Sequence, residues 1–261
     1  MAEKLFLQER LDQILSFLQE QGRVSVSQLS EHFRVSAVTI RNDLAVLEQQ
    51  GLLLRTHGGA MPNPSPVNPS TEPPAFLLRK ELHAAEKERI GRAAAVLVRD
   101  GDSIALDAST TAWQIARHLK DRRELTVVTN GLFVALEFLE APGVTVVMPG
   151  GSLRTASASL VGDQGAGILE RYHVQKGFFG GGGFTLEEGL TDTNQYEVQL
   201  KQRMVARSKE VIAIVDSSKW GQVTFASLAA VEQLDHVITD TEAPPAMVAA
   251  LRERGITVTL V

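Results

Sequence analysis

The chain has 261 residues, 44% of them apolar, and a formal net charge of −5. It has no cysteine, which excludes disulfide scaffolds and cysteine-ligated zinc or iron–sulfur sites. No apolar run reaches the roughly 20 residues of a membrane span. The charged start MAEKLFLQER is unlike a secretory signal, so a soluble, cytoplasmic protein is expected.

Six of the ten prolines fall between Pro62 and Pro74. A run that rich in Pro, Ser and Asn cannot build a core and reads as a stiff linker. It divides the chain into a head, 1–60, a linker, 61–75, and a body, 76–261. In the head, Leu7, Leu11, Ile14, Leu15 and Leu18 recur on one helical face, and Gly22 ends that helix. Ser25, with Gln28 three residues on, predicts the capping box of a short second helix with Val26, Leu29 and Phe33 inward. After a turn at 34–36, Ser36 caps a third helix that buries Ile40, Leu44 and Leu47 and stops at Gly51. The following LLLRTHGGA reads as a strand, a basic tip and a Gly-Gly turn.

Three short helices with a tight second turn and a trailing strand unit form a winged helix-turn-helix. Such a unit lays its third helix in the DNA major groove. With Ile40, Leu44 and Leu47 inward, Val38, Asn42, Ala45 and Gln49 point outward, flanked by Thr39 and Arg41. Asparagine pairs with adenine, arginine with guanine, and Val or Ala touches a thymine methyl. Thr39, Arg41, Arg55 and His57 suit phosphate contacts or groove entry from the wing, and Ser36 completes the candidate DNA-contacting set. Residues 1–60 hold six Lys/Arg and seven Asp/Glu, a net of −1, which favours a competing reading as a protein-docking domain. The acids lie mainly on the first helix, however, whereas Arg34, Arg41 and Arg55 sit on the DNA side.

The body alternates helices at 82–98, after Thr111, 132–140, 195–207 and 246–254 with strands at 103–107, 125–129, 144–148, 177–179, 211–215, 236–239 and 256–260. This predicts an α/β fold with a mostly parallel sheet and helices on both faces. Four loops at expected strand ends suit an anion: Asp107, Ser109, Thr110 and Thr111 before a helix; Thr129, Asn130 and Gly131; Gly151 with Arg154; and Asp216 with Lys219. The glycines at 180–183 match neither a dinucleotide nor a Walker A pattern and read as a turn of close backbone approach. The six histidines form no metal-ligand pattern, so neither a metal nor a cofactor is expected. Trp113 and Trp220 lie beside these loops and suit a pocket wall and a core equally.

The stretch VSVSQLSEHFRVSAVTIRNDLAVLEQQGLLLRTHGGA resembles the winged helix-turn-helix of the DeoR family of bacterial transcriptional regulators. Where that family usually has Arg-Arg-Asp, this chain has Arg41-Asn42-Asp43, which implies an altered operator preference. In the body, LDASTTAWQIARHL, VVTNG, MPGGSLR, LVG, EEGLTDTNQYEVQLKQRMVARS and VDSSKWG resemble the effector domain of the same family. The resemblance implies a fold similar to ribose-5-phosphate isomerase and a phosphorylated sugar as effector. It implies contacts from Asp107, Ser109, Thr110, Thr111, Thr129, Asn130, Gly151, Arg154 and Lys219. Ala108 and the four glycines at 180–183 depart from the family pattern, which implies a different pocket shape.

The expected function is therefore a repressor of carbohydrate-metabolism genes. It binds operator double-stranded DNA as a homodimer or homotetramer, under control of a phosphorylated sugar. The rival is a sugar-phosphate isomerase-like enzyme. Isomerisation needs a carboxylate to move a proton between neighbouring carbons. The loop resembling the isomerases' acidic stretch is four glycines, and Gln202 is expected at the place of their base. Asp107, Asp192, Glu197 and Asp216 remain as carboxylates; even so, the chain is read as a sensor and not as an enzyme.

Overall fold

The computed structural model describes residues 7–49, 53–56, 58–62, 76–162 and 165–261. The chain divides into two compact units, Met1–Pro73 and Pro74–Val261. From position 63 onward the expected linker lies outside the described residues.

The first unit runs α1 (Leu7–Gln21), β1 (Val24–Ser25), α2 (Val26–Phe33), α3 (Ala37–Gln49), β2 (Leu53–Thr56) and β3 (Gly59–Pro62). Leu11, Ile14 and Leu18 of α1 bury against Leu29, Ile40, Leu44, Leu47 and Leu53. Both expected caps form: the hydroxyls of Ser25 and Ser36 accept from the backbone N–H of Gln28 and Thr39, each at 3.1 Å. Arg34 ends α2 in the left-handed region at φ 53°, and its N–H reaches the Ser30 carbonyl. The sequence reading lacks β1, which pairs antiparallel with β3 to give the order β1-β3-β2. A two-residue strand carries no periodicity to detect. A buried ion pair joins the outer helices: Arg10 Nε and Nη2 donate to Asp43 Oδ2 and Oδ1 at 2.6 and 3.0 Å.

The second unit opens with α4 (Phe76–Arg79) and α5 (Ala84–Val96). There follow β4 (Ser103–Leu106), α6 (Thr110–Arg117), β5 (Leu125–Thr129), α7 (Leu132–Leu136), β6 (Val144–Val147), β7 (Ser152–Arg154), β8 (Ser159–Val161) and α8 (Ala166–Leu169). Then come β9 (Val174–Phe179), β10 (Gly183–Thr185), β11 (Gly189–Asp192), α9 (Gln195–Ala206), β12 (Ser208–Ile214), β13 (Ala226–Ala229), β14 (His236–Thr239), α10 (Pro245–Glu253) and β15 (Thr257–Leu260). The main sheet has seven strands, all parallel, in the order β15-β14-β12-β9-β4-β5-β6. Strand alternation sends Ile104, Leu106, Phe178, Ile212 and Ile214 to one face, against apolar residues of α5 and α6. It sends Ala105, Phe179, Val211 and Ala213 to the other, against α9, α10 and a small sheet of order β10-β11-β13. The small sheet and the β7–β8 hairpin are absent from the sequence reading, because their short strands are rich in Gly, Ser and Thr and lack the apolar run that marks the main-sheet strands. Helix α7 stops at Leu136, short of the expected 140. Its end tightens to i→i+3 bonds, Phe138 to Ala135 and Leu139 to Leu136, ahead of Pro142. Among the described residues no helix is long and apolar enough to cross a membrane.

The strand order positions the site. The chain leaves the centre of the sheet at β4, runs to one edge through β5 and β6, and returns to the other side of β4 at β9. Open parallel sheets bind ligands at the carboxyl ends of the strands flanking such a reversal. Here those strands are β4 and β9, followed by Asp107 and Gly180.

Candidate functional site

The loops after β4 and β9 are tied together. Asp107 is fully buried. Its Oδ1 accepts from Ser109 N at 3.0 Å, and its Oδ2 accepts from Gly180 N at 3.0 Å. A Cβ on Gly180 would lie 2.7 Å from the Ser109 side chain, so a glycine is needed where β9 crosses the start of α6. The 180–183 loop is thus the close-approach turn read from the sequence. Ser109 caps α6, accepting from Ala112 N at 3.1 Å, and Thr110 and Thr111 are buried in its first turn. The loop after β5 closes on the same place: a Cβ on Gly131 would sit 2.8 Å from Ala108 Cα. Thr129 accepts from Gly131 N at 3.0 Å. Asn130 is fully buried; its amide N–H donates to the Leu160 carbonyl at 3.4 Å, while its Oδ1 has no partner.

The centre of this edge is a buried charge chain that the sequence reading lacks. Lys201 Nζ lies 2.9 Å from Asp107 Oδ2 and 2.7 Å from Asp192 Oδ2, and donates to the Gly180 carbonyl at 3.3 Å. Burial alone would lower the pKa of Lys201, but Asp107 and Asp192 reverse that and hold it well above the ordinary lysine range. Burial pushes Asp192 upward, and Lys201 more than offsets it, leaving that carboxyl below its ordinary value. Gln202, expected at the place of a base, is exposed and turned away, donating to the Ser227 carbonyl at 2.8 Å. Its neighbour Lys201 is the residue that α9 presents to the site.

A second cluster holds cations with no carboxylate salt bridge among the described residues. Lys87 is 5% exposed and sits on the inward stripe of α5 with Ile90, Gly91 and Ala94. Its ammonium donates to the Arg79 carbonyl at 3.0 Å and to the Leu82 carbonyl. Burial lowers its pKa from 10.5 to about 8; Asp216 opposes the shift, while Lys219 and Arg79 add to it. Those influences place Lys87, Lys219, Arg79 and Asp216 in one neighbourhood. Asp216 Oδ1 accepts from Ser218 N at 3.1 Å and from the Ser218 hydroxyl, which orients the turn carrying Lys219. A lysine within a buried helical stripe was the available signal for Lys87.

The remaining candidates are placed differently. Gly151, at φ 115°, and Arg154 lie on the β7–β8 hairpin. Arg154 pairs with Glu197 at 3.1 Å and donates to the Ser157 hydroxyl at 3.1 Å. Glu197 also accepts from Ser157, so Arg154 fastens the hairpin to α9. Trp220 is core, edge-on to Phe184 and bonded to Thr239 at 3.1 Å. Trp113 donates to Glu137 at 2.7 Å and lies edge-on to Phe76 of α4.

In the first unit, α3 presents one outward strip. Val38 is 62% exposed, Arg41 and Asn42 are exposed, and Thr39 and Ala45 are half-buried. Ser36 is an exposed cap whose hydroxyl also bonds that of Thr39 at 2.9 Å. His57 and the side chains of Arg55 and Gln49 lie outside the described residues.

Comparison with known proteins bears on both units. A family model described as the DeoR-like helix-turn-helix domain matches residues 10–65, and one described as the DeoR C-terminal sensor domain matches residues 82–241. The chain is 37% identical over 254 residues to the HTH-type transcriptional regulator GolR of Listeria innocua, covering 97% of this chain and 98% of that protein. It is 35% identical over 237 residues to the HTH-type transcriptional repressor GlcR of Bacillus subtilis, covering 90% and 89%. It is 31% identical over 248 residues to the glycerol-3-phosphate regulon repressor of Escherichia coli K12, covering 95% and 96%. Among solved structures, ribose 5-phosphate isomerase A of Methanocaldococcus jannaschii aligns over 51% of this chain and 53% of that one, at 20% identity and TM-score 0.37. That likeness is too remote to bear on activity. The winged helix-turn-helix of the first unit, the parallel sheet of the second and two matched domain models spanning most of the sequence agree: the chain belongs to the DeoR family of transcriptional regulators.

Proposed function

We propose that this regulator is a cytoplasmic repressor of carbohydrate-metabolism genes, released from or held on its operator by a phosphorylated sugar bound at the carboxyl edge of the β4–β9 crossover. The observation that carries the reading is the pair Lys87 and Lys219, which have no carboxylate salt bridge among the described residues and share an edge with the hydroxyl-rich start of α6. A phosphoryl group matches ammonium groups and helix-start N–H donors together. The unpartnered Asn130 Oδ1 suits a sugar hydroxyl. Relatives named as repressors, one of them of a glycerol-3-phosphate regulon, support the same reading. Catalysis is disfavoured because each carboxylate at this edge is engaged: Asp107 and Asp192 by Lys201, Glu197 by Arg154, and Asp216 by Ser218. Self-association would set two heads at the spacing of operator half-sites, about 34–36 Å or its multiples.

A thermal-shift screen with sugar phosphates and their free sugars tests this. Ligand at 100 times its Kd stabilises by about 2.7 kcal/mol, a rise of several degrees, and the free sugar leaves the midpoint unchanged. No shift with any phosphate, and operator binding indifferent to all of them, overturns the effector reading.

Two further results are expected. Arg41 is exposed on α3 with no ion pair among the described residues. Arg41→Ala therefore costs about 1–3 kcal/mol of operator binding, roughly 5- to 150-fold, without moving the melting temperature or the effector response. Gel-shift titration against a scrambled site measures it. Lys87 gives a pH dependence. Its folded value of about 8 lies below the ordinary 10.5, so between these the unfolded chain binds more protons, and unliganded stability from this group rises with pH. A bound phosphate favours the charged form, so its affinity falls above pH 8, by up to about tenfold per pH unit for one linked proton. Calorimetric titration at pH 7 and 9, in buffers of different ionisation enthalpy, should detect proton uptake at the higher pH. Identical affinity with no uptake removes Lys87 from the site.

A further inference from the structure

Among the described residues, four buried side-chain polar atoms lack a hydrogen-bond partner: Arg79 Nε and Nη2, Arg122 Nε and Asn130 Oδ1. Arg122 precedes β5 and lies at the amino edge of the sheet. The other three atoms belong to the carboxyl edge. A buried donor without an acceptor is costly, so native structures rarely keep one without a reason.

Arg79 is the last residue of α4, and α4 is pinned at both ends. Phe76 is 3% exposed, stacks on Phe133 at 4.5 Å and lies edge-on to Trp113 at 6.2 Å. Its N–H donates to the Ala156 carbonyl at 3.2 Å, on the β7–β8 turn. At the other end, the Arg79 carbonyl accepts from Lys87 Nζ at 3.0 Å. The guanidinium is held at the cation cluster, yet among the described residues it makes no salt bridge there. Asp192, whose carboxyl feels the charge of Arg79, already gives Oδ2 to Lys201 at 2.7 Å and Oδ1 to Thr193 N at 2.8 Å. The site thus orients two N–H donors of a planar, permanently charged group and, among the described residues, supplies them with no acceptor, which is the geometry for a bidentate oxyanion.

We propose that Arg79 is an effector-binding residue, whose Nε and Nη2 take two oxygens of the bound anionic group. The proposal rests on the anion-binding reading above and adds a consequence. An anion held by Arg79 supplies the acceptors that its Nε and Nη2 lack and so steadies α4 and the turn that follows it.

The test uses the full chain with inorganic phosphate as probe, and chloride at matched ionic strength as control. Three readouts are taken: the unliganded melting temperature, the phosphate-induced shift, and hydrogen exchange over 76–82. In the wild type, phosphate raises the midpoint and slows exchange over 76–82. Arg79→Ala is expected to melt at the same temperature as the wild type or higher without phosphate, because unpartnered buried donors are removed. It should lose at least tenfold in phosphate affinity and show no added protection at 76–82. Arg79→Lys, which keeps the charge but not the fork, recovers part of the affinity and not the protection. A structural arginine gives the opposite pattern: a lower unliganded midpoint with phosphate affinity unchanged. That pattern, or a full phosphate response in Arg79→Ala, overturns the role of Arg79 while leaving the anion site standing. No phosphate response in the wild type overturns both.

Discussion

Replacing Lys201 with methionine is expected to lower the melting temperature of the sensor unit by on the order of 10 °C at pH 7. Lys201 lies 2.9 Å from Asp107 and 2.7 Å from Asp192, with its side chain 3% exposed. Removing the cation from a buried ion pair costs about 3–5 kcal/mol, because the carboxylates stay buried without it. For a unit of this size each kcal/mol is worth about 2–4 °C. The pH dependence identifies the cause. In the wild type the carboxyl of Asp192 is held below its ordinary value, so its contribution is present above the unfolded pKa and fades as pH falls through the folded one. In the variant a buried carboxyl takes up its proton at higher pH and is relieved on acidification. The gap between the two proteins therefore narrows from pH 7 towards pH 5. Calorimetry of both at the two pH values settles it; a constant gap means that lost packing, and not charge, is responsible. Because Asp107 also holds Ser109 N and Gly180 N, the variant should lose effector response as well.

The corresponding residue of the head is Asp43. Its side chain is 3% exposed and takes both hydrogen bonds from Arg10, joining α3 to α1. A unit of about 60 residues has roughly 3–9 kcal/mol of stability in total. Asp43→Ala removes the bidentate acceptor of a buried guanidinium, at a cost of about 3 kcal/mol or more. Much of the head is then unfolded at 37 °C, and operator binding falls by two orders of magnitude or more. Cooling to 10 °C, where a destabilised domain refolds in part, should restore some binding. Arg41→Ala, which touches no core residue, should show no such temperature dependence. Gel-shift titrations of both variants at the two temperatures separate folding from contact. Near-normal binding by Asp43→Ala at 37 °C would show that the ion pair is dispensable.

The head was legible almost residue by residue. Its signals are local: the Leu11–Ile14–Leu18 spacing, the hydroxyl caps at Ser25 and Ser36, and the Ile40–Leu44–Leu47 stripe each lie within one helix. Period and capping are properties of neighbouring residues, so they survive in the sequence alone. The same holds for the apolar strands of the main sheet, of which those at 125–129 and 236–239 match the expected spans.

The site was half legible. The sequence marked the loops after β4, β5 and β12 as ligand-facing, because small, hydroxyl-bearing and glycine residues cluster where strands end. It did not reveal that β9 lies beside β4, since strand order follows from pairing across 70 residues of chain, as in Asp107 with Gly180. The sequence marked Asp107 as a ligand contact; the fold adds that its oxygens accept from Ser109 N and Gly180 N and face Lys201. Arg154 read as an anion contact; folding adds Glu197 as its partner, which the sequence did not reveal. Conversely, Lys87, Lys201 and Arg79 lie outside every loop motif. Lys87 and Lys201 interrupt buried helical stripes, a visible anomaly whose meaning depends on what packs opposite. Sequence periodicity assigns a residue to the inside or the outside of its own element. Which charges then meet, and which are left for a ligand, is decided by long-range packing, where a buried ion is tolerated only if some other part of the chain, or a ligand, supplies its partner.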